Sequence, residues 1–353
     1  MKRRDFAIGL GALGLSGAVG VARAAAGDWR DAAARAWSAA TGGTAPAIGR
    51  SDAFLVLLDG KVAFERYSAD PGPDVRHISW SMCKSVTQAL AGVAVVQGRL
   101  NIDAPLVTWP HPGLTLRHLL TLTDGLKWDE GDYDPAASDA TRMLYGPGRF
   151  DGAAYVGAKP SDHTPGARWN YSTGAYQLAA AEIQARLFPE ARTPEARRRT
   201  MSAWMRRSLF DPIGMASAQP EFDAAGTFVG GSLLYATARD YARFGELYRL
   251  DGVWRGRRIL PEGWVKFART PTVEASYGAG FWLEAPADHK PASLLGGAGP
   301  MDAFAAEGHE GQVILIIPSK SAVVVRLGLM PDEDGAWKAL GAWLLPVVNA
   351  LGS

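Results

Sequence analysis

Apolar-alternating segments at residues 54–67 and 312–327 bracket a long block of helical patterning. That arrangement predicts a two-lobed α/β (α+β) fold. One antiparallel sheet takes its strands from both ends of the chain and is flanked by helices, with a mostly helical lobe, about residues 100–275, inserted in it. No internal repeat is evident, so the chain reads as one domain, 25–353, behind a leader of residues 1–24.

The elements follow in order. Residues 28–40 have the spacing of an amphipathic helix. Runs at 54–58 and 62–67 meet at Asp59-Gly60, a hairpin turn pair. Residues 80–97 are helical and apolar on most sides, which predicts a buried helix ended by Gly98. A short helix falls within 114–123. Residues 124–166 are rich in Gly, Pro, Asp and Tyr, with one helical piece at 140–145, and loops of such length tend to be functional. Helices at 172–187, 194–209, 238–248 and 261–268 complete the lobe. A strand at 279–283, a hairpin of 312–317 with 322–327 and a final amphipathic helix at 332–351 close the chain.

Of the 353 residues, 47% are hydrophobic and 21% charged, which is ordinary for a globular protein with a sizeable core. The net charge of +1 offers nothing to nucleic acid. At the start, Lys2, Arg3 and Arg4 precede an apolar, glycine-rich run and then Ala22-Arg23-Ala24, the order of an export signal. Arg3-Arg4 before Asp5-Phe6 resembles a twin-arginine signal, so a periplasmic location is expected. The run falls short of the roughly 18 residues a spanning helix needs, so no stable membrane anchor is expected. Removing the leader takes away four basic residues and one acidic residue and leaves a net charge of −2. Cys83 is the single cysteine, so no internal disulfide can form.

Ser81-Met82-Cys83-Lys84 sets a hydroxyl and an amine three residues apart at a helix start, on one face. A serine is a poor nucleophile until a base takes its proton, and a desolvated lysine can be that base. The free N–H groups of the helix start would favour an oxyanion nearby. The helix is too apolar for the surface, so Lys84 is expected to be part-buried. Cys83 points off this face and reads as a small core residue.

Several segments in order resemble the serine β-lactamase and penicillin-binding-protein superfamily, class C-like branch, which includes esterases and 6-aminohexanoate-dimer hydrolases. These are Ser81 to Thr87, the stretch Arg117-His118-Leu119-Leu120-Thr121 to Leu126, Tyr171-Ser172-Thr173 for Tyr-x-Asn, and His309-Glu310-Gly311 for Lys-Thr-Gly. Phe228 to Ser232 and Asp251 to Trp254 are further landmarks, and the likeness runs from about residue 54 to 327. It implies a β-lactamase/transpeptidase-like fold with Ser81 as nucleophile, Lys84 as its partner and Tyr171 as general base and then acid. It implies an oxyanion hole from the backbone N–H groups of Ser81 and Gln312. It also sets His309, Gly311 and Thr173 beside the substrate, with Tyr133, Asp139 or Tyr145 on a loop over it.

His309 replaces a lysine and Thr173 an asparagine, so the groups that hold a β-lactam carboxylate and amide are altered while those that make an acyl-enzyme remain. The expectation is therefore a serine hydrolase acting on a small-molecule amide or ester, 6-aminohexanoate-dimer-hydrolase-like or a carboxylesterase. A β-lactamase or D,D-peptidase is the alternative, and a non-catalytic ligand- or peptidoglycan-binding protein of the same fold is the second. Neither H-x-x-x-H zinc spacing nor an EF-hand loop occurs, so no metal or other cofactor is expected. No G-x-S-x-G occurs either, which argues against an α/β-hydrolase. The oligomeric state is not written in these features.

Overall fold

The computed structural model describes residues 28–70, 72–106, 109, 111–131, 137–289 and 293–352; the leader and Tyr133 lie outside them. The expected architecture forms. Six antiparallel strands lie in the order β2-β1-β6-β5-β4-β3, where β1 is Arg50–Leu58, β2 Lys61–Tyr67, β3 Trp282–Leu283, β4 Phe304–Gly308, β5 Gln312–Ile317 and β6 Ala322–Leu329. The N-terminal strand β1 thus pairs directly with β6 from the C-terminal end, Phe54 facing Arg326 and Val56 facing Val324. Asp59 and Gly60 both take left-handed backbone angles, φ 47° and 75°, as the tight β1–β2 turn requires.

The sheet is buried on both faces, so its strands are apolar almost throughout. On one face Phe54, Val56, Val313, Leu315 and Val324 pack beneath α1 (Asp28–Thr41) and the last helix, Ala336–Ala350. On the other, Leu55, Ile314, Ile316 and Val325 meet the helical lobe. Before that lobe comes α2 (Met82–Val96), and the lobe itself holds α3 (Leu116–Leu120), α4 (Asp139–Leu144), α5 (Gly152–Gly157), α6 (Thr173–Leu187), α7 (Pro194–Met205), α8 (Ala238–Arg249) and α9 (Trp264–Ala268). The last helix is α10. Every residue of α2 from Met82 to Ala94 is buried.

Three boundaries differ from the sequence reading. β4 was not foreseen, because Phe-Ala-Ala-Glu-Gly has weak strand preference and forms a strand only between its two neighbours. The strand expected at 279–283 shrinks to Trp282–Leu283, because Gly280 at φ 77° turns the chain just before it. Within 124–166 an extra helix, α5, forms, capped by the Asp151 carboxylate on the Ala154 N–H at 2.9 Å.

A buried guanidinium joins the two ends of the chain. Arg326 on β6 is fully buried, and its N–H groups reach the carbonyls of Ile48 (2.7 Å), Arg50 (2.8 Å), Glu310 (2.9 Å) and Gly311 (2.9 Å) and the Ser51 hydroxyl (3.1 Å). Burial pushes its pKa down to about 10. Replacing it by methionine fills the volume and strands four carbonyls, each a hydrogen bond to a charged donor. Urea unfolding of Arg326→Met should therefore show a loss of about 3 kcal/mol or more; a loss below about 1 kcal/mol would mean the carbonyls find other donors.

Candidate active site

Ser81 is presented by a strained corner. The segment before α2 is held by Ser79, whose N–H donates to the Leu234 carbonyl at 2.8 Å and whose hydroxyl accepts from the Leu234 N–H at 3.1 Å. Trp80 then takes φ 44°, a left-handed conformation that costs a bulky residue roughly 1–2 kcal/mol. Its indole N–H donates to Glu310 at 3.0 Å and its ring meets His309 edge-on at 5.5 Å, which offsets the cost. Ser81 follows as the N-cap of α2, with its side chain in the cleft.

One turn on, Lys84 is 1% exposed. Its Nζ donates to Ser81 Oγ (2.8 Å), Thr173 Oγ1 (2.9 Å) and the Gly231 carbonyl (3.1 Å). It also sits 4.7 Å from the centre of the Tyr171 ring. Burial brings its pKa down to about 8 against the opposing pull of Glu130. Cys83 is buried on the other side of the helix, where desolvation pushes the thiol up to about 12.

Tyr171 precedes α6 and stacks on Trp282 (5.6 Å between centres, 23° between planes), with Tyr277 perpendicular to it at 6.1 Å. The structure thus brings Ser81, Lys84, Tyr171 and Thr173 together from the starts of α2 and α6.

Two cavities meet at the nucleophile. A smaller one of about 290 Å³ is lined by Glu130, Thr141, Leu144, Tyr145 and Thr173. A larger one of about 730 Å³ lies toward α10 and is lined by Tyr171, Trp282, Glu307, Trp337 and Leu345. Ser81 and His309 line both. Among the described residues no group of His, Cys, Asp and Glu is arranged to hold a metal ion.

The remaining sequence candidates separate. Tyr145 is exposed and lines the smaller cavity. Asp139 lines neither; it is buried and bound by Lys159, by the Tyr155 hydroxyl (2.6 Å) and by the Asp129 N–H (3.1 Å). Burial opposes its ionisation, but these donors hold its carboxyl below the usual range. Its expected contact with substrate is thus replaced by a role in tying the loop to α5.

Gly311 is likewise turned away from the cleft. It has φ 73°, and a Cβ there would lie 2.6 Å from Arg326 Nη1, so it serves the turn and not the substrate.

Gln312 is corrected too. It opens β5, is 2% exposed, lines neither cavity, and exchanges side-chain hydrogen bonds with Gly328 at 2.6 and 3.1 Å. The unforeseen strand β4 stands between it and Ser81, and Gln312 pairs with Gly308 on that strand. The Glu284 N–H meets the Ala303 carbonyl at 3.3 Å, so odd-numbered residues here turn their backbone groups away from β5. β3 ends at Trp282, opposite Ala305, and Glu307, beyond that end, lines the larger cavity.

Glu307 and Glu130 were not singled out in the sequence. Glu130 accepts from the Trp128 indole (2.6 Å), the Thr173 N–H (2.9 Å) and the Thr173 hydroxyl. It was one carboxylate among several in an acidic loop, and only the Thr173 contact distinguishes it. Glu307 lines the larger cavity with Oε1 sealed and unpartnered, and burial pushes its pKa up to about 8, helped by nearby Glu284.

The beta-lactamase family profile matches residues 46–329. A 6-aminohexanoate-dimer hydrolase of Paenarthrobacter ureafaciens is 26% identical over 307 residues, covering 84% of this chain and 77% of that protein. Among solved structures, a penicillin-binding-protein homologue from Caulobacter crescentus aligns with a TM-score of 0.65 at 16% identity, over 90% of this chain and 98% of the other. EstCE1, a hydrolase with promiscuous acyltransferase activity, aligns with a TM-score of 0.66 at 16% identity, over 92% of this chain and 99% of the other. At such identities the structural matches speak for the fold.

Glu307 makes a signed stability prediction. Its carboxyl holds a proton in the folded state up to about pH 8, against 4.5 for the free side chain, so folding favours the protonated form. Wild-type stability contributed by this group therefore falls as pH rises from 4.5 to 8. Calorimetry should show Tm of Glu307→Gln gaining on wild type across that window, by roughly 5 °C at pH 8. A Tm difference independent of pH would show that the carboxyl does not carry the proton.

Proposed function

The chain belongs to the beta-lactamase family and is a serine hydrolase, and we propose that it cleaves a small-molecule amide or ester through an acyl-enzyme on Ser81. The observation that carries this reading is the 2.8 Å contact between Ser81 Oγ and the buried Lys84 Nζ, set where two cavities meet. A substrate whose scissile carbonyl lies at Ser81 can place its acyl part in one cavity and its leaving group in the other.

In the acylation step Ser81 Oγ bonds to the carbonyl carbon while its proton passes to Lys84. The oxygen takes the negative charge and is met by the Ser81 N–H and by the outward N–H of Glu307 on β4. Tyr171, against the Lys84 ammonium, is suited to return a proton to the leaving nitrogen or oxygen, after which water reverses the sequence.

The likeness to a 6-aminohexanoate-dimer hydrolase favours an amidase of that kind or a carboxylesterase. So does the wall beside Ser81. Residues 303–312 contain no lysine or arginine, so His309 stands where the family pattern has a lysine, and the cation bordering the larger cavity is Lys338, on α10. Export through the leader at residues 1–24 belongs to the same proposal, and would set the enzyme among periplasmic amides and esters.

Incubation with a fluorophosphonate should add one phosphonyl group per chain, with fluoride leaving, as read by intact mass. The adduct should be absent in Ser81→Ala, and Tyr171→Phe should turn over p-nitrophenyl esters about 10²-fold or more slowly. A folded wild-type chain that takes no label would instead favour a ligand-binding protein, and label retained in Ser81→Ala would move the nucleophile elsewhere.

A further inference from the structure

The hydrogen bonds around Lys84 pose a proton-counting problem. Its Nζ directs three donors at three acceptors, the Ser81 hydroxyl, the Thr173 hydroxyl and the Gly231 carbonyl, which is the full valence of an ammonium. An ammonium cannot take the serine proton. One of the three protons must leave first, and a backbone carbonyl cannot accept it. Ser81 cannot take it either without ceasing to be the nucleophile. Thr173 remains.

The Thr173 hydroxyl has a single proton, which it donates to Glu130 Oε1, so toward Lys84 it can only accept. The direction of the chain from Lys84 through Thr173 to Glu130 is thereby set. The other Glu130 oxygen accepts from the Trp128 indole at 2.6 Å and the Thr173 N–H at 2.9 Å, so the carboxylate is held in place and turned to the hydroxyl.

Resting on the reading of Ser81 as nucleophile, we propose that Glu130 is the proton store of this site and that Thr173 is the relay to it. The Lys84 proton moves to Thr173 Oγ1 as the Thr173 proton moves to Glu130 Oε1. The ion pair becomes a neutral amine and a neutral carboxylic acid, with no proton exchanged with solvent. Lys84 then takes the Ser81 proton as Oγ bonds to the substrate carbonyl. The hydroxyl at position 173 gains a reason: an asparagine amide, which the family pattern has there, can donate and accept but does not pass a proton through itself.

The ordinary alternative is that Glu130 merely caps α6 and attracts the lysine. The two differ in sign. If Glu130 only attracts, wild-type Lys84 must shed its proton to solvent, near its lowered pKa of about 8. Removing the carboxylate would then move the acid limb of reactivity to lower pH. If Glu130 stores the proton, the wild-type pair is already competent below that pH. Removing the store forces loss to solvent and moves the limb to higher pH. The other titratable groups facing the chain are Cys83 and Tyr171 at Lys84, and Tyr277, Tyr145 and His309 around Glu130; none of them is altered by the substitution.

The test is the pH dependence of the second-order rate of fluorophosphonate labelling, followed by intact mass on the whole chain, with thermal melts beside it. For Glu130→Gln the limb should move up and the rate at pH 6.5 should fall about 10-fold or more. Thr173→Val should match it, the double variant should be no slower than either single one, and Thr173→Ser should recover the rate lost in Thr173→Val. A limb that moves down in Glu130→Gln, an unchanged profile, or additive losses in the double variant would overturn the relay while leaving Ser81 as nucleophile. If Glu130→Gln does not fold, Thr173→Val against Thr173→Ser decides alone: equal rates end the proposal. A wild-type chain that is not labelled at all ends the hydrolase reading itself.

Discussion

A lysine ammonium with no access to water has to be surrounded by acceptors, and most of the site is organised by that requirement. The acceptors around Lys84 come from three separate parts of the chain: the start of α2, the start of α6 and the Gly230-Gly231 segment. Bringing a carbonyl that close needs the absence of side chains. A Cβ on Gly230 would lie 2.7 Å from Thr87 Oγ1, and one on Gly231 2.7 Å from the Thr173 carbonyl. The Thr87 hydroxyl donates to the Gly230 carbonyl at 2.7 Å and fixes the segment from the other side. The apolar packing of α2 and α6 and the polar cage around Lys84 are therefore one arrangement. The helices can be as close as they are because the polar groups between them are satisfied.

Much of this was legible in the residues. Ser81 and Lys84 are neighbours on one helix, so their contact is local geometry and follows from spacing alone. The hairpin at Asp59-Gly60 and the helix starts at Ser138, Ser172 and Thr237 are local too, each a turn pair or a capping side chain. What failed was non-local. β4 has weak strand preference of its own and exists because β5 and β3 flank it. Missing it set Gln312 beside Ser81, whereas Gln312 lies one strand further from the cleft and lines neither cavity. The acidic loop misled in the same way. Asp139 and Glu130 look alike in sequence, and which one meets Lys159 and which meets Thr173 is decided only by how α4, α5 and α6 pack.

The two cavities at Ser81 are unlike in chemistry as well as in size. The smaller has a carboxylate, two threonines and an exposed tyrosine on its wall. The larger is bordered by Trp282, Trp337 and Leu345, with the half-buried carboxyl of Glu307 and, on the α10 side, Asp332 and Lys338. The fold is shared with EstCE1, and a fold alone does not decide what is cut; that falls to the side chains lining the cleft.

Arg326 has a mechanical corollary. By holding the carbonyls of Ile48 and Arg50 at one end of the chain and those of Glu310 and Gly311 at the other, it welds the His309 turn to the centre of the sheet. One jaw of the cleft is then stationary. Among the described residues of the opposite jaw, 128–131 and 137–145, Asp139, Ser138 and Glu130 tie the chain to its neighbours and α4 supplies six helical residues. Substitutions at Thr141, Leu144 or Tyr145 would reshape the smaller cavity without touching the guanidinium's contacts to the sheet.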